Sequence, residues 1–376
     1  MKKLSIMPYK PKILFTDGEG PIVYKDLAYD LTRRAFKKTG QKSGLDFFRI
    51  LSFYDDYLAE INYSGYQAGD TLALVGPTFL AHGLTDRDIN DEAKTTAVVP
   101  GVKDYITHLL RDGWQVRIIS TAYRAMWDYV GDYLGIPPEH IACTELSLTK
   151  LHALFNNYRF RNAVTTFECE VLTHQGEFNE AIAEVHKGVS IVEVMQRDQY
   201  RSLFDLLDGF FWKMLPAQFG YAPLREIMVM GGNRKIKTAK NFARKLGTAI
   251  SDIVYVGDSI TDAALFRILK TEGGLAIVVN GSSYGLREAE VAVATTDMRS
   301  LRPLLNEWVE GGHEKVREFL ESKPVVSKVR ARERAVNLDE TQYAYIHPED
   351  ANTFARLLEA HKAYRVAVRG QAALLG

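Results

Sequence analysis

The chain has 376 residues, 46% of them apolar, with Lys plus Arg and Asp plus Glu equal at 47 each. That is enough apolar material for two or three domains with buried cores, and the zero formal charge gives no case for nucleic acid or a membrane surface as partner. Two cysteines, Cys143 and Cys169, stand in no metal-type spacing and fit free thiols in a reducing cytoplasm.

Neither the opening MKKLSIMPYKPK nor any later run is apolar enough for a signal peptide or a bilayer span, so a soluble cytoplasmic protein is expected. In chain order, Lys12–Thr16 reads as a short buried strand that delivers Asp17 and Glu19 to a loop, DGEGP. Residues 25–97 are helix-rich and aromatic, with FFRILSFYDDYLAEI (Phe47–Ile61) as an amphipathic piece whose Phe47, Phe48, Phe53, Tyr54 and Tyr57 suit a helical core. VKDYITHLLRDG then predicts a helix ending at Gly113, followed by a strand over Gln115–Ser120 that delivers Ser120 and Thr121.

Residues 146–226 form a second long interruption, read as mixed α+β, containing FFWKML. Further strands are predicted at Ile227–Met230, Ile253–Val256, Leu275–Val279 and Val291–Ala294, with a helix over Lys237–Gly247 between the first two. Two helical patterns follow residue 305, and the basic run Ser327–Arg334 reads as solvated surface. Strands alternating with helices imply a doubly wound α/β fold with a mostly parallel sheet.

Four points fall at strand ends, where open parallel sheets bind ligands: Asp17 with Glu19, Ser120 with Thr121, Lys235 with Lys237, and Asp258 with Asp262. An aspartate can attack phosphorus to form an aspartyl-phosphate. A second acid can then move the protons, and a lysine and a hydroxyl can hold the phosphoryl oxygens. The hydroxyls of Ser120 and Thr121 would equally well cap a helix, and the lysines would equally well be a solvated face.

The set resembles the haloacid dehalogenase (HAD) superfamily of aspartyl-phosphate phosphatases. DGEGP matches the first motif with two departures, Glu19 and Pro21; Ser120 matches the second; GDSITD, with Asp258 and Asp262, matches the fourth fully. The resemblance is nearest the phosphoserine-phosphatase-like branch, whose spacing selects Lys235 over Lys237. D-x-EGPI also resembles an archaeal and anaerobe subgroup associated with energy-converting hydrogenase clusters.

The resemblance implies a HAD-type Rossmann-like core over 1–24, 98–145 and 227–305. A helical cap would lie at 25–97, a second cap-like insertion at 146–226 and a helical extension at 306–376. It implies a Mg²⁺-dependent hydrolase acting on a small phosphorylated metabolite. Asp17 would be the nucleophile, Glu19 the acid and base, and Ser120, Thr121 and Lys235 the phosphate clamp. Asp17, the backbone carbonyl of Glu19, Asp258 and Asp262 would form the metal site. The alternative is a catalytically weak scaffold serving a redox complex, and neither a homo-oligomer nor such a partner is distinguished by the residues.

Overall fold

The structure is a computed structural model that describes residues 9–155, 157–186, 189–323, 338, 340–347 and 349–370. The opening eight residues and the basic run Ser327–Arg334 lie outside them.

One seven-stranded sheet organises the fold, in the order β3-β2-β1-β4-β5-β6-β7. Its strands are β1 (Ile13–Thr16), β2 (Gln115–Tyr123), β3 (Ile141–Thr144), β4 (Val254–Gly257), β5 (Leu275–Val279), β6 (Val291–Ala294) and β7 (Gln342–Tyr345). All pairs are parallel except β6 with β7. Strand order reverses at β1, where Leu14 pairs with Val116 of β2 on one side and Val254 of β4 on the other. A crevice at the carboxyl ends of these three strands is the expected consequence.

Both faces of the sheet are covered. Leu14, Val254 and Val256 point into one apolar cluster, while Ile13, Phe15, Ile253 and Tyr255 point into the other with Phe242 and Phe266. This two-sided burial is why the strands read as continuous β-branched runs rather than as alternations.

Three strand expectations change. β2 runs on to Tyr123, so Ser120 and Thr121 lie within the strand; the next helix (Arg124–Leu134) starts from Tyr123 with no side-chain cap. Ile227–Met230 is not a strand. Its main chain is spent locally, Ile227 N–H on the Pro223 carbonyl and Gly231 N–H on the Val229 carbonyl, and it reaches β3 through Met230 N–H on the Thr144 hydroxyl. The short β3 and β7 were not anticipated.

The second interruption is helical throughout its described residues, not α+β. FFWKML, placed by the sequence within that mixed insertion, lies mostly in a π-helical turn (Gly209–Met214). There Phe210 stacks on Phe167 of the helix Tyr158–Thr173 at 3.7 Å between ring centroids. The two interruptions share a single core. Phe47 meets Phe167 edge-on, and buried His82 pairs with Glu168 at 2.8 Å. Phe47, Phe48, Phe53 and Tyr54 are buried in that core as expected.

The segment after residue 305 is not wholly helical. β7 adds an antiparallel edge, and the helix Ala351–Arg369 packs across the sheet through Leu357, buried beside Ile346 and Ala292. Truncating Leu357 to Ala is therefore expected to cost about 2–4 kcal/mol in chemical denaturation, as for other buried leucines. A loss under about 1 kcal/mol would mean that this helix is not part of the folded unit.

Candidate active site

β1 ends at Thr16, and Asp17 N–H continues the ladder onto the Val256 carbonyl of β4 at 2.7 Å. Asp17 is thus fixed at the switch point rather than in a free loop. One of its carboxylate oxygens accepts from Gly18 N–H at 2.6 Å, and the other meets Lys235 Nζ at 2.9 Å. A side chain at Gly18 would collide with Trp127 at 1.8 Å, which accounts for a glycine beside this acid.

Lys235 lies in the first turn of the helix Asn233–Leu246 and is fully buried. Its ammonium bridges Asp17 and Asp262, the latter at 2.7 Å, and donates to Thr261 Oγ1 at 3.1 Å. Lys237 is exposed, so the lysine at the site is Lys235.

Asp262 completes the bridge. One oxygen accepts from Lys235 and from the Tyr255 hydroxyl, the other from the backbone N–H groups of Asp258 and Ser259. Asp17, Asp258 and Asp262 present oxygens within 4.8 Å of one another, all buried. Among them Asp262 is committed to holding Lys235 and the loop, which leaves Asp17 and Asp258 facing outward.

Glu19 reaches away from this cluster. One oxygen accepts from Leu27 N–H at 3.3 Å, the other from Thr121 Oγ1 at 3.2 Å. The extra methylene, about 1.5 Å of reach, is thereby used to span from the loop to β2 and to the helix Leu27–Lys38. Ser120 Oγ is fully buried behind Gly18 and accepts from Ala122 N–H. Thr121, by contrast, lines the cavity.

That cavity is about 80 Å³ and brings Asp17, Glu19, Thr121 and Asp258 together with Phe48, Ser52, Asp55 and Asp56 of the helix Gly44–Glu60. Arg365 and Arg369 of the helix Ala351–Arg369 close it. Sequence reasoning placed Phe48 in the core and missed the other partners. The available signals were spacings: 48, 52 and 55, 56 fall on one face of a helix, as do His361, Arg365 and Arg369 at i, i+4, i+8.

The two arginines converge on one oxygen of Asp258, at 2.9 Å from Arg365 and 3.0 Å from Arg369. The preceding turn is anchored by His361, whose Nδ1 accepts from Gly281 N–H at 2.9 Å. Burial holds His361 near 3 and neutral, as that acceptor role requires.

Six carboxyl groups line the cavity: Asp17, Glu19, Asp26, Asp55, Asp56 and Asp258. Burial first, then Asp262 and Asp258, push Asp17 up to about 8 against the pull of Lys235. Burial and then Asp26 hold Glu19 well above the usual carboxylate range. Burial raises Asp258 too, opposed by the two arginines. Burial works against the charge on Lys235, yet Asp17 and Asp262 together raise it above the ordinary lysine value.

No protein-family model and no curated protein matches the chain. Among solved structures it is similar to gene product AF1437 from Archaeoglobus fulgidus, at 26% identity and a TM-score of 0.72 over 98% of this chain and 99% of that one. Looser likenesses include a substrate-bound phosphoserine phosphatase complex (12% identity, TM-score 0.47, 78% of this chain and 98% of that one). Another is a HAD-family hydrolase from Deinococcus radiodurans with bound phosphate and sodium (12% identity, TM-score 0.36, 80% and 96%). Among the described residues no helix is long and apolar enough to cross a membrane.

Replacing Lys235 by Met would leave Asp17 and Asp262 buried without their shared cation. A loss of about 3–5 kcal/mol in denaturant unfolding is expected. Asp55 gives a pH prediction. It accepts from Tyr66 OH, Gly69 N–H and Thr71 N–H, but burial pushes it up to about 7. An acid raised on folding contributes stability that is full below about pH 4 and lost as pH climbs through about 7. Asp55→Asn should flatten the fall in unfolding midpoint between pH 5 and pH 8.

The likeness to AF1437 runs the length of both chains, and this mostly parallel α/β fold is therefore one that the chain shares with the A. fulgidus protein.

Proposed function

We propose that the chain is a phosphomonoester hydrolase of the haloacid dehalogenase type, acting on a small phosphorylated metabolite. The observation that carries this reading is the buried constellation of Asp17, Lys235, Asp258 and Asp262 at one switch point, with Glu19 over the same cavity. Asp17 Oδ attacks phosphorus, forming the aspartyl-phosphate as the bond to the leaving oxygen breaks. Glu19 protonates that oxygen. It then takes a proton from the water that hydrolyses the aspartyl-phosphate. Its pKa, raised by burial and then by Asp26, suits the first of these steps, which needs a protonated acid.

The donor set fits a hard divalent cation such as Mg²⁺. It is all oxygen, three buried carboxylates lie within 4.8 Å, and Gly20 gives Asp258 room that a Cβ, 2.4 Å from its oxygen, would fill. Asp17 and Asp258 would hold the ion with the Glu19 carbonyl, and Asp262 would support them through Lys235 and the loop. When bound, such an ion supplies charge neutralisation for the phosphoryl oxygens and favours ionised Asp17. Thr121 positions Glu19 through its hydroxyl, and Lys235 keeps one oxygen of Asp17 oriented.

Asp17→Asn should reduce turnover of a panel of small phosphomonoesters with Mg²⁺ to below about 1% of wild type. Activity surviving in that variant would overturn the mechanism. A second reading, a catalytically weak scaffold that serves a redox complex, draws on the two guanidinium groups on Asp258 and on Pro21 after the acids. It expects no turnover in wild type and a gain in Glu19→Asp.

A further inference from the structure

We propose that Arg365 and Arg369 are the anion-binding residues of this site. They rest on Asp258 and transfer to the phosphoryl oxygens of the substrate when a divalent cation takes Asp258. The proposal rests on the phosphatase reading and assigns the phosphate clamp to the helix Ala351–Arg369.

The reason is a shortage of cations. A dianionic phosphoryl group entering this cavity meets six carboxyl groups, and the cationic side chains lining it are Arg365 and Arg369. Lys235 does not line the cavity and is already bound to two carboxylates. Ser120 is fully buried and does not line the cavity, while the Thr121 hydroxyl is given to Glu19. The clamp expected from the sequence is therefore largely committed to other partners.

The arginines have the right chemistry and the right placement. Their side chains are 5% and 7% exposed, and guanidinium forks match phosphate oxygens in pairs. Both are arginines, whose guanidinium groups stay charged at neutral pH. Arg369 Nε is buried and makes no hydrogen bond among the described residues, a donor that the resting arrangement leaves unused. Two guanidinium groups on Asp258 Oδ2 and a divalent cation on the same carboxylate repel one another, which favours the exchange.

The test is isothermal titration of the full wild-type chain as parent, with inorganic phosphate at saturating Mg²⁺ and with Mg²⁺ alone. Arg365→Met and Arg369→Met should each weaken phosphate binding about tenfold or more, as loss of a charge-assisted bond implies. The same variants should bind Mg²⁺ more tightly than the parent. Lys362→Met, which removes a charge from the exposed face of the same helix, should change neither. If a Met variant unfolds by circular dichroism, Arg→Lys keeps the charge without the fork and should give an intermediate phosphate affinity.

Phosphate affinity within about twofold of the parent, no phosphate binding by the parent, or unchanged Mg²⁺ affinity would each overturn the proposal. Its failure is separable from that of the hydrolase reading. Phosphomonoester turnover by wild type, with arginine variants that bind phosphate normally, removes the clamp and leaves the hydrolase. Arginine-dependent phosphate binding in a chain that turns over no phosphomonoester does the reverse.

Discussion

Lys235 stands between Asp17 and Asp262, and the site depends on that bridge. Strand ends at a switch point concentrate whatever side chains they carry, and here the loops after β1 and β4 carry acids. Two unit charges 4 Å apart interact by about 4 kcal/mol at an effective dielectric of 20. Three buried carboxylates without cations would therefore oppose folding. The fold answers in layers: one ammonium beneath, the Tyr255 hydroxyl and two backbone N–H groups on Asp262, and two guanidinium groups above on Asp258. The same crowding that makes the cluster costly suits it to a cation and to a phosphoryl group.

Glu19 shows how a small departure is absorbed. A longer acid in a rigid loop would put its proton in the wrong place, and a shift of about 1 Å is costly in catalysis. Here the added reach is taken up by fixed partners on both sides, Leu27 N–H and the Thr121 hydroxyl. The carboxyl is consequently anchored to a strand and a helix, so its position does not rest on the loop alone.

Much of this was legible along the chain, for identifiable reasons. β1, β2, β4, β5 and β6 announce themselves because burial on both faces selects unbroken apolar runs. β3 is only Ile141–Thr144, directly after a turn with two prolines, too short to signal. Ile227–Met230 mimics a strand because Ile227 and Val229 are buried while Met228 is exposed, although its hydrogen bonds are local. FFWKML looked like mixed structure because its aromatics are packed by tertiary contacts, Phe210 on Phe167 and Trp212 on Tyr63, which no local pattern reveals. In the site, acids at strand ends were visible as punctuation after apolar runs. The helix bearing Arg365 and Arg369 was visible as a helix but not as part of the site, because which face of it meets the acids depends on Asp258, more than a hundred positions earlier.

Placing those arginines so far along the chain also bears on how the molecule reaches its native state. Asp17 and Asp258 follow the adjacent strands β1 and β4, whose pairing does not involve the helix Ala351–Arg369. Without that helix the cavity would present a concentrated patch of carboxyl groups to a segment bearing two guanidinium groups. Docking is then an encounter between opposite charges within one molecule, accelerated by their field and slowed by added salt, since the Debye length is about 8 Å at physiological ionic strength. The acids that make the site difficult to bury are in this sense the ones that attract the helix that covers it.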